Sequence, residues 1–505
     1  SLIQFSPCID AGTADLDGDG EEDISDYVGA APDMGAHEHF CGSGSYDDCG
    51  LCDGDDDCSL CNDENGYDCS SCSCSGCTDP LALNYSENNL FDDGSCIFML
   101  EQDVWVSPEG DDNLNSGLDA DNSFRTLTYA LWRIVPSEDN ILTIHLAEGT
   151  YSPSATGEEF PISMKSYVNL IGAGEQSTVI DAEQMDGVIN MIECVNNSLS
   201  GITITGGNSS EEYGGGIYLE YSDPIIEDVT IIGNSAEGRG GGMYLYYSNP
   251  TMTRLSILEN TANSGSGIYF RYCDSPSLTD FTIANTTTNW GAIYIYYSDP
   301  ILNYGTIKEN IGGIIFSLSN SDAIFSNFEI IDNTDSRVFD MSGSNPLLLN
   351  LTITGNLQTL RTAGGGSPSH PVVVNTIVRN NVPGDASDWS QEFILASPLQ
   401  GYPASSLTIS FSDIEGGEGA IYAEDIGGEE YEEIVINWLE GNIDADPLFT
   451  DPYNGDYTLQ YGSPCIDGGT ADLDGDGEDD IDYVGTAPDM GAFESEYSSG
   501  SEISV

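Results

Sequence analysis

Between Gly201 and Asn381 apolar and polar positions alternate in short bursts, and each burst stops at an asparagine: "GITITGGN", "DVTIIGN", "RLSILEN", "DFTIAN", "YGTIKEN", "NFEIIDN", "NLTITGN", "NTIVRN". Alternation at every second residue marks a strand with one buried face. In the clearest repeats a second strand stands 16 or 17 residues earlier: "GIYLEYSDP", "GMYLYYSNP", "GIYFRYCDSP", "AIYIYYSDP". The bursts end at Asn208, Asn234, Asn260, Asn285, Asn310, Asn333, Asn356 and Asn380, at intervals of 26, 26, 25, 25, 23, 23 and 24. A period near 24 with short strands and no helix describes one coil of a solenoid, not a domain. The leucine frame of a leucine-rich repeat is absent, and a propeller blade needs about 40 residues. The pattern predicts an all-β parallel β-helix, each strand lying on its copy in the next coil.

In such a coil the eight asparagines are expected to form an internal ladder, amide on amide. An asparagine also suits a left-handed turn residue, and both roles fit the pattern. Alternation turns Ile217, Met243, Ile268 and Ile293 inward with Leu219, Leu245, Phe270 and Ile295. Tyr218, Tyr244, Tyr269 and Tyr294 then line up outside, with Tyr246 and Tyr296 beside them. This tyrosine column is either a stacked sheet surface or a platform for a carbohydrate or protein.

Upstream, "SFRTLTYALWRIVP" places Phe124, Leu127, Leu131 and Ile134 on one helical face. Ser123 as N-cap and Pro136 as stop predict about three turns. The stretches "WVSPEGDD", "SFRTLTYAL", "LAEGTYS", "GEEFPISMKSYVNLIGAG" and "TVIDAE" resemble the domain-of-unknown-function family that begins many bacterial pectin-lyase-like right-handed β-helices. The resemblance implies that the early helix covers the open N-terminal end of the solenoid. Residues 441–494 resemble the closing coils of the same proteins.

The charge is extreme: 86 Asp+Glu against 10 Lys+Arg, a formal net charge of −76. That field repels nucleic acid and anionic membranes and attracts cations. No apolar run approaches the ~18 residues of a membrane span. Ten of the fourteen cysteines crowd into one polar segment: Cys41, Cys49, Cys52, Cys58, Cys61, Cys69, Cys72, Cys74, Cys77 and Cys96. Such a cluster reads as a disulfide framework in an oxidising compartment, with zinc ligation as the alternative. "GCTDPLALNYSENNLFDDGSC" resembles a short cysteine-bounded module of bacterial surface proteins, which implies a Cys77–Cys96 bridge. The isolated Cys8, Cys194, Cys273 and Cys465 read as small buried core residues.

One motif occurs twice. "SPCIDAGTADLDGDGEED" at residues 6–23 returns as "SPCIDGGTADLDGDGEDD" at 463–480, and both copies run on to "APDMGA". Residues 1–38 are therefore either the closing coil of a preceding tandem unit or a strip that docks on another copy. Within the motif Asp15, Asp17, Asp19, Glu21, Asp23 and Asp26 keep the oxygen spacing of a calcium loop, as do Asp472, Asp474, Asp476, Glu478 and Asp480. The second copy is one residue shorter, so Asp482 falls at position 11. Without flanking helices these resemble the bare calcium loops of dockerins and thrombospondin type 3 repeats, and Ca2+ is the expected ligand.

The expected layout is a calcium-loop segment (1–39), a cysteine-stapled connector (40–99), the β-helix (100–457), a closing coil (458–494) and a tail (495–505). Enzymatic chemistry is not expected. Cations to hold an acidic polysaccharide are few, the polygalacturonase motifs are missing, and His37, His39, His145 and His370 form no triad. The reading is a secreted, non-catalytic structural or adhesive protein of the cell surface, partnered by its own copies head to tail or in tandem. The alternatives are a glycan-binding β-helix using the tyrosine face and a polysaccharide lyase or hydrolase.

Overall fold

The runs Ile217–Glu220, Met243–Tyr246, Ile268–Arg271 and Ile293–Tyr296 lie in parallel register, each residue beside its counterpart one coil on. Downstream of each, an eight-residue strand does the same: Ile225–Ile232, Thr251–Leu258, Ser277–Ala284 and Ile301–Lys308. The long strands bend at one left-handed residue per coil, with φ of 53° at Asp228 and Arg254, 57° at Asp280 and 51° at Tyr304. This geometry comes from a computed structural model, which describes residues 77–86, 95–210, 214–333, 335–362, 367–381, 391–396, 403–424 and 432–497. Among these residues the strands form a long sheet of 17 strands, a sheet of 11 carrying the tyrosines, and a short sheet of four. The architecture is the right-handed parallel β-helix that the repeats predict.

The core is a stack of apolar rungs. Ile217, Met243, Ile268 and Ile293 are wholly buried, as are Leu219, Leu245, Phe270 and Ile295. Identical spacing in each coil places like side chains over one another, so the core continues along the axis without a break.

The N-terminal helix is shorter than its apolar pattern suggests. It spans Leu127–Arg133 and is capped by Thr126, whose Oγ1 accepts from Tyr129 N at 3.1 Å, not by Ser123. Phe124 is instead an extended residue bridged to Val106. The helix packs against Val104–Val106 and Ile162–Ser163, the first strands of two sheets, and so covers their open edge. Its first N–H groups are satisfied by Glu158, which accepts from Leu127 N at 2.7 Å and Thr128 N at 2.8 Å.

The chain divides into two units, residues 1–100 and 101–505. In the first, the described residues carry the Cys77–Cys96 disulfide. Asn84 braces it, donating to Ser95 O at 2.7 Å and accepting from Ile97 N at 2.8 Å. No helix among the described residues is long and apolar enough to cross a membrane.

Residues 458–494, expected as a closing coil, add no parallel rung. Phe449–Asp451 and Asp456–Leu459 pair antiparallel as a hairpin. From there the chain returns along the flank of the solenoid and lies on the outer face of the long sheet. Phe449, Tyr457, Leu459, Cys465, Ile466 and Met490 pack there with Ile331 and Ile377 in one buried cluster. The strands beneath show why: outward positions in Ile225–Ile232 and Thr251–Leu258 are half-exposed, whereas Glu329, Ile331, Leu349, Thr352 and Ile377 are buried. Strands covered on both faces lose their alternation, and "PLLLNLTIT" already shows it.

Candidate functional site

The asparagine ladder exists, with three of its eight expected members displaced. Asn234, Asn260, Asn310, Asn333 and Asn356 are buried and linked coil to coil. Asn333 Nδ2 donates to Asn356 Oδ1 at 3.0 Å and to Ile307 O at 3.1 Å, while its Oδ1 accepts from Asn310 Nδ2 at 3.0 Å. Asn208, Asn285 and Asn380 are exposed and stand outside it. Their neighbours hold the rungs: Gly207, whose N–H donates to Asn234 Oδ1; Thr286, which donates to Asn310 Oδ1; and Asn381, which accepts from Asn356. The residue before each rung is left-handed, with φ of 54° at Glu259, 56° at Asn285 and 55° at Asn380. Asparagine suits both positions, so one motif hides two roles one residue apart.

A second ladder, not anticipated, lines the opposite corner. Ser222 N donates to Ser248 Oγ, Ser298 N to Ser321 Oγ, Ser321 N to Ser344 Oγ and Ser344 N to Ser369 Oγ, all at 3.0–3.2 Å. Cys194 and Cys273 occupy rungs of this ladder. Cys194 N donates to Ser222 Oγ, and Cys273 N to Ser298 Oγ, each at 2.9 Å. Burial pushes the Cys273 thiol up to about 11. These isolated cysteines are serine stand-ins, and the serine in "YSDP" and "YSNP" was the available signal.

The outward tyrosines form two columns. Tyr218, Tyr244, Tyr269 and Tyr294 stack with centroids 5.7, 5.3 and 4.8 Å apart. Tyr244 and Tyr269 are buried all the same, each lying between two other rings of the column. At Gly240, with φ +67°, a Cβ would lie 2.6 Å from Tyr244 Cβ. The Tyr269 hydroxyl is pushed up to about 12, chiefly by burial. The exposed column is a different one, missed in the sequence: Tyr221, Tyr247, Tyr272 and Tyr297, all left-handed. Tyr221 and Tyr247 lie 5.1 Å apart at 4°, Tyr247 and Tyr272 5.0 Å apart at 21°, and Tyr272 and Tyr297 5.7 Å apart. Tyr246 and Tyr296 stand edge-on between the columns, touching Tyr247 and Tyr297. Arg271 lies over Tyr246 and Tyr272, 5.3 Å from each centroid, and donates to Tyr244 Oη at 3.3 Å.

On the flank, the second acidic loop brings Asp472, Asp474 and Asp476 together, with one carboxylate oxygen from each within 4.8 Å of the others. Asp472 accepts from Gly475 N at 2.7 Å and Gly477 N at 2.9 Å, so the loop turns around its first carboxylate. Asp480 accepts from Leu473 N at 2.7 Å, and Glu478 donates its N–H to Asp476 Oδ1 at 2.8 Å. Asp482 is exposed and outside the trio. The three oxygens suit a hard divalent cation. Asp15, Asp17, Asp19, Glu21, Asp23 and Asp26 lie outside the described residues, as do Cys8, Cys41, Cys49, Cys52, Cys58, Cys61, Cys69, Cys72 and Cys74.

Glu329 and Glu392 are among the buried carboxyls with raised affinity for protons. Glu329, beneath the hairpin, is pushed up to about 7 by burial and the nearby Asp456 charge, against the pull of Thr306 and Lys308. Glu392 reaches about 7 by burial, although Thr359 and Asn381 donate to it.

Two family models match consecutive stretches of the chain. Residues 109–273 match "Protein of unknown function (DUF1565)", and residues 266–428 match "Right handed beta helix region". No curated protein matches. Among solved structures, pectate lyase Pel9A is 15% identical with a TM-score of 0.45, covering 79% of this chain and 98% of its own. A carrot pectin methylesterase is 10% identical with a TM-score of 0.30, covering 66% and 88%. The A-module of the Azotobacter vinelandii mannuronan C-5 epimerase AlgE4 is 14% identical with a TM-score of 0.31, covering 60% and 88%. Parallel coils in continuous register and internal amide rungs, with two consecutive family matches, make this chain a right-handed parallel β-helix.

Proposed function

We propose that the protein is a non-catalytic extracellular rod, built to be stiff along its axis and tied at its flank by a calcium loop. The observation that carries this reading is the state of the tyrosine columns. A sugar ring stacks on an open aromatic face. Here Tyr221 and Tyr247 turn their faces to each other at 4°, as do Tyr269 and Tyr294 at 3°. The surface therefore offers mostly ring edges and hydroxyls, and the rings brace one coil against the next. The Cys77–Cys96 bridge and the acidic surface fit an oxidising, cation-rich exterior. Calcium would be held by Asp472, Asp474 and Asp476, with Glu478 and Asp480 supporting the loop, and would neutralise carboxylates that otherwise repel. Copies arranged front to rear would extend the rod.

A second reading is favoured by one feature: Tyr221, Tyr247 and Tyr297 are 41–51% exposed, a row of hydroxyls at the coil spacing that could track a glycan chain. A glycan array separates the two. The rod reading expects no binding by the native chain and a rod in negative stain. Binding lost in Tyr247→Ala with Tyr297→Ala replaces it with a glycan-binding role, and product release from a polysaccharide panel replaces it with catalysis.

A further inference from the structure

The flank strip is anchored by few side chains, and the chain carries most of those anchors twice. Asn375 pairs with Thr470, accepting from its N–H and donating to its C=O, both at 2.8 Å. Ala492 N donates to Thr352 Oγ1 at 3.0 Å, and Gly491 N to Asn375 O at 2.7 Å. Gly469 and Gly491 permit close approach: a Cβ on Gly469 would lie 2.8 Å from Asn375 Oδ1, and one on Gly491 2.9 Å from Ile377 Cδ1. Cys465, Ile466 and Met490 fill the apolar cluster. In the first copy of the motif the corresponding residues are Cys8, Ile9, Gly12, Thr13, Met34, Gly35 and Ala36, with no anchor changed.

The receiving surface is equally specific. It needs outward apolar positions such as Ile331 and Ile377 beside Thr352 and Asn375. At the register position of Ile377 the upstream coils present Thr230, Ser256 and Thr282, polar where the patch is apolar, and so offer no such patch. Among the described residues this chain has one receiving flank, and residues 463–494 already occupy it.

We propose that this flank is a docking site for the repeated motif, and that its second ligand is residues 6–38 of another copy of the chain, taken up when the resident strip is displaced. The resident strip is tethered and holds the site at an effective concentration of order mM, so exchange requires that it be weakened. Each exchange joins residues 6–38 of one copy to the flank of the next. Such a contact is heterologous and extends into a filament unless the rotation closes it. This inference rests on the rod reading and names the surface by which rods would join.

The test uses the full chain with Ile466→Asp and Met490→Asp, which drive the resident strip off the apolar cluster. Sedimentation velocity in calcium is expected to show a monomeric native chain and concentration-dependent oligomers of the variant. Adding Ile9→Asp and Met34→Asp to the variant is expected to return it to monomers. A synthetic peptide of residues 6–38 should raise the melting temperature of the strip-disabled chain, and its Asp-substituted form should not. Should the double variant fail to fold, Ala492→Pro, which removes the N–H to Thr352 and fixes the local φ, takes the same tests. A disabled chain that stays monomeric, ignores the peptide and still images as a rod overturns the docking site and leaves the structural reading standing.

Discussion

Asn375 grips Thr470 across 95 residues of sequence with a paired amide contact, donor and acceptor each at 2.8 Å. Asn375 is itself left-handed, with φ of 50°, so glycine can replace it without backbone strain while removing the amide. Two hydrogen bonds from a buried amide are worth roughly 1–3 kcal/mol together. Asn375→Gly is expected to loosen the strip and leave the coils intact. Hydrogen exchange should quicken at Thr470, Met490 and Gly491, with little change at Ile257 or Ile283.

The ladder makes a sharper contrast between neighbours. Asn333 is wholly buried, and its loss strands the backbone carbonyl of Ile307 and the N–H of Asn310. Asn333→Ala should cost about 2–4 kcal/mol, seen as a lower urea midpoint. Asn285→Gly, exposed and left-handed, should stay within about 0.5 kcal/mol of the native chain. If the two variants melt alike, the ladder contributes no more than the turns do.

That contrast also shows how far the sequence could be read. Period, strand order and inward residues followed from alternation alone, because a strand flips its side chain at every step. Asn285 was misassigned because the left-handed residue and the rung are adjacent and both favour asparagine. The serine ladder went unnoticed because serine is ordinary in any turn. The flank strip was hidden for a different reason: its contacts span up to 140 residues, as between Ala492 and Thr352, and no local pattern encodes them. The one local trace was the loss of alternation in "PLLLNLTIT".

Cys273 tests the serine ladder directly. Its Sγ lies 3.5 Å from Arg271 O and 3.7 Å from Leu245 O, where Ser298 and Ser321 place their hydroxyls in other coils. Cys273→Ser should be neutral or slightly stabilising, since the hydroxyl makes the stronger hydrogen bond. Cys273→Ala should lower stability by about 1 kcal/mol. Thermal melts in a reducing buffer read both.

Calcium should act on the strip more than on the coils. The acidic loop lies between the Thr470 anchor and the Met490 anchor, so ordering it fixes both. Binding at a hundredfold excess over Kd contributes about 2.7 kcal/mol to whatever the ion stabilises. Removing calcium with a chelator is expected to accelerate exchange at Thr470 and Asp480. Asp474→Asn with Asp476→Asn should abolish the calorimetric binding signal of this loop and copy the chelated pattern in calcium.

Glu329 gives the strip a pH dependence of definite sign. Its Oε1 has no hydrogen-bond partner among the described residues, and it faces Thr306 and Lys308 from the sheet and Asp456 and Tyr457 from the hairpin. Its carboxyl stands at about 7 when folded against an ordinary 4.5, so the unfolded chain gives up the proton first. Stability from this group is therefore complete below about 4.5, falls as pH rises toward 7 and is flat above that, a loss of roughly 3 kcal/mol at most. Glu392 titrates in the same direction over the same range. General repulsion among the 86 acidic residues does so too, so the slope alone proves nothing. The diagnostic is the difference between the native chain and Glu329→Gln, which keeps the shape and removes the charge. Urea midpoints from pH 4.5 to 8 should coincide at the acid end and diverge toward neutrality, with the variant the more stable. Curves that run parallel would mean that Glu329 reaches solvent when it ionises and that the hairpin lifts at no cost.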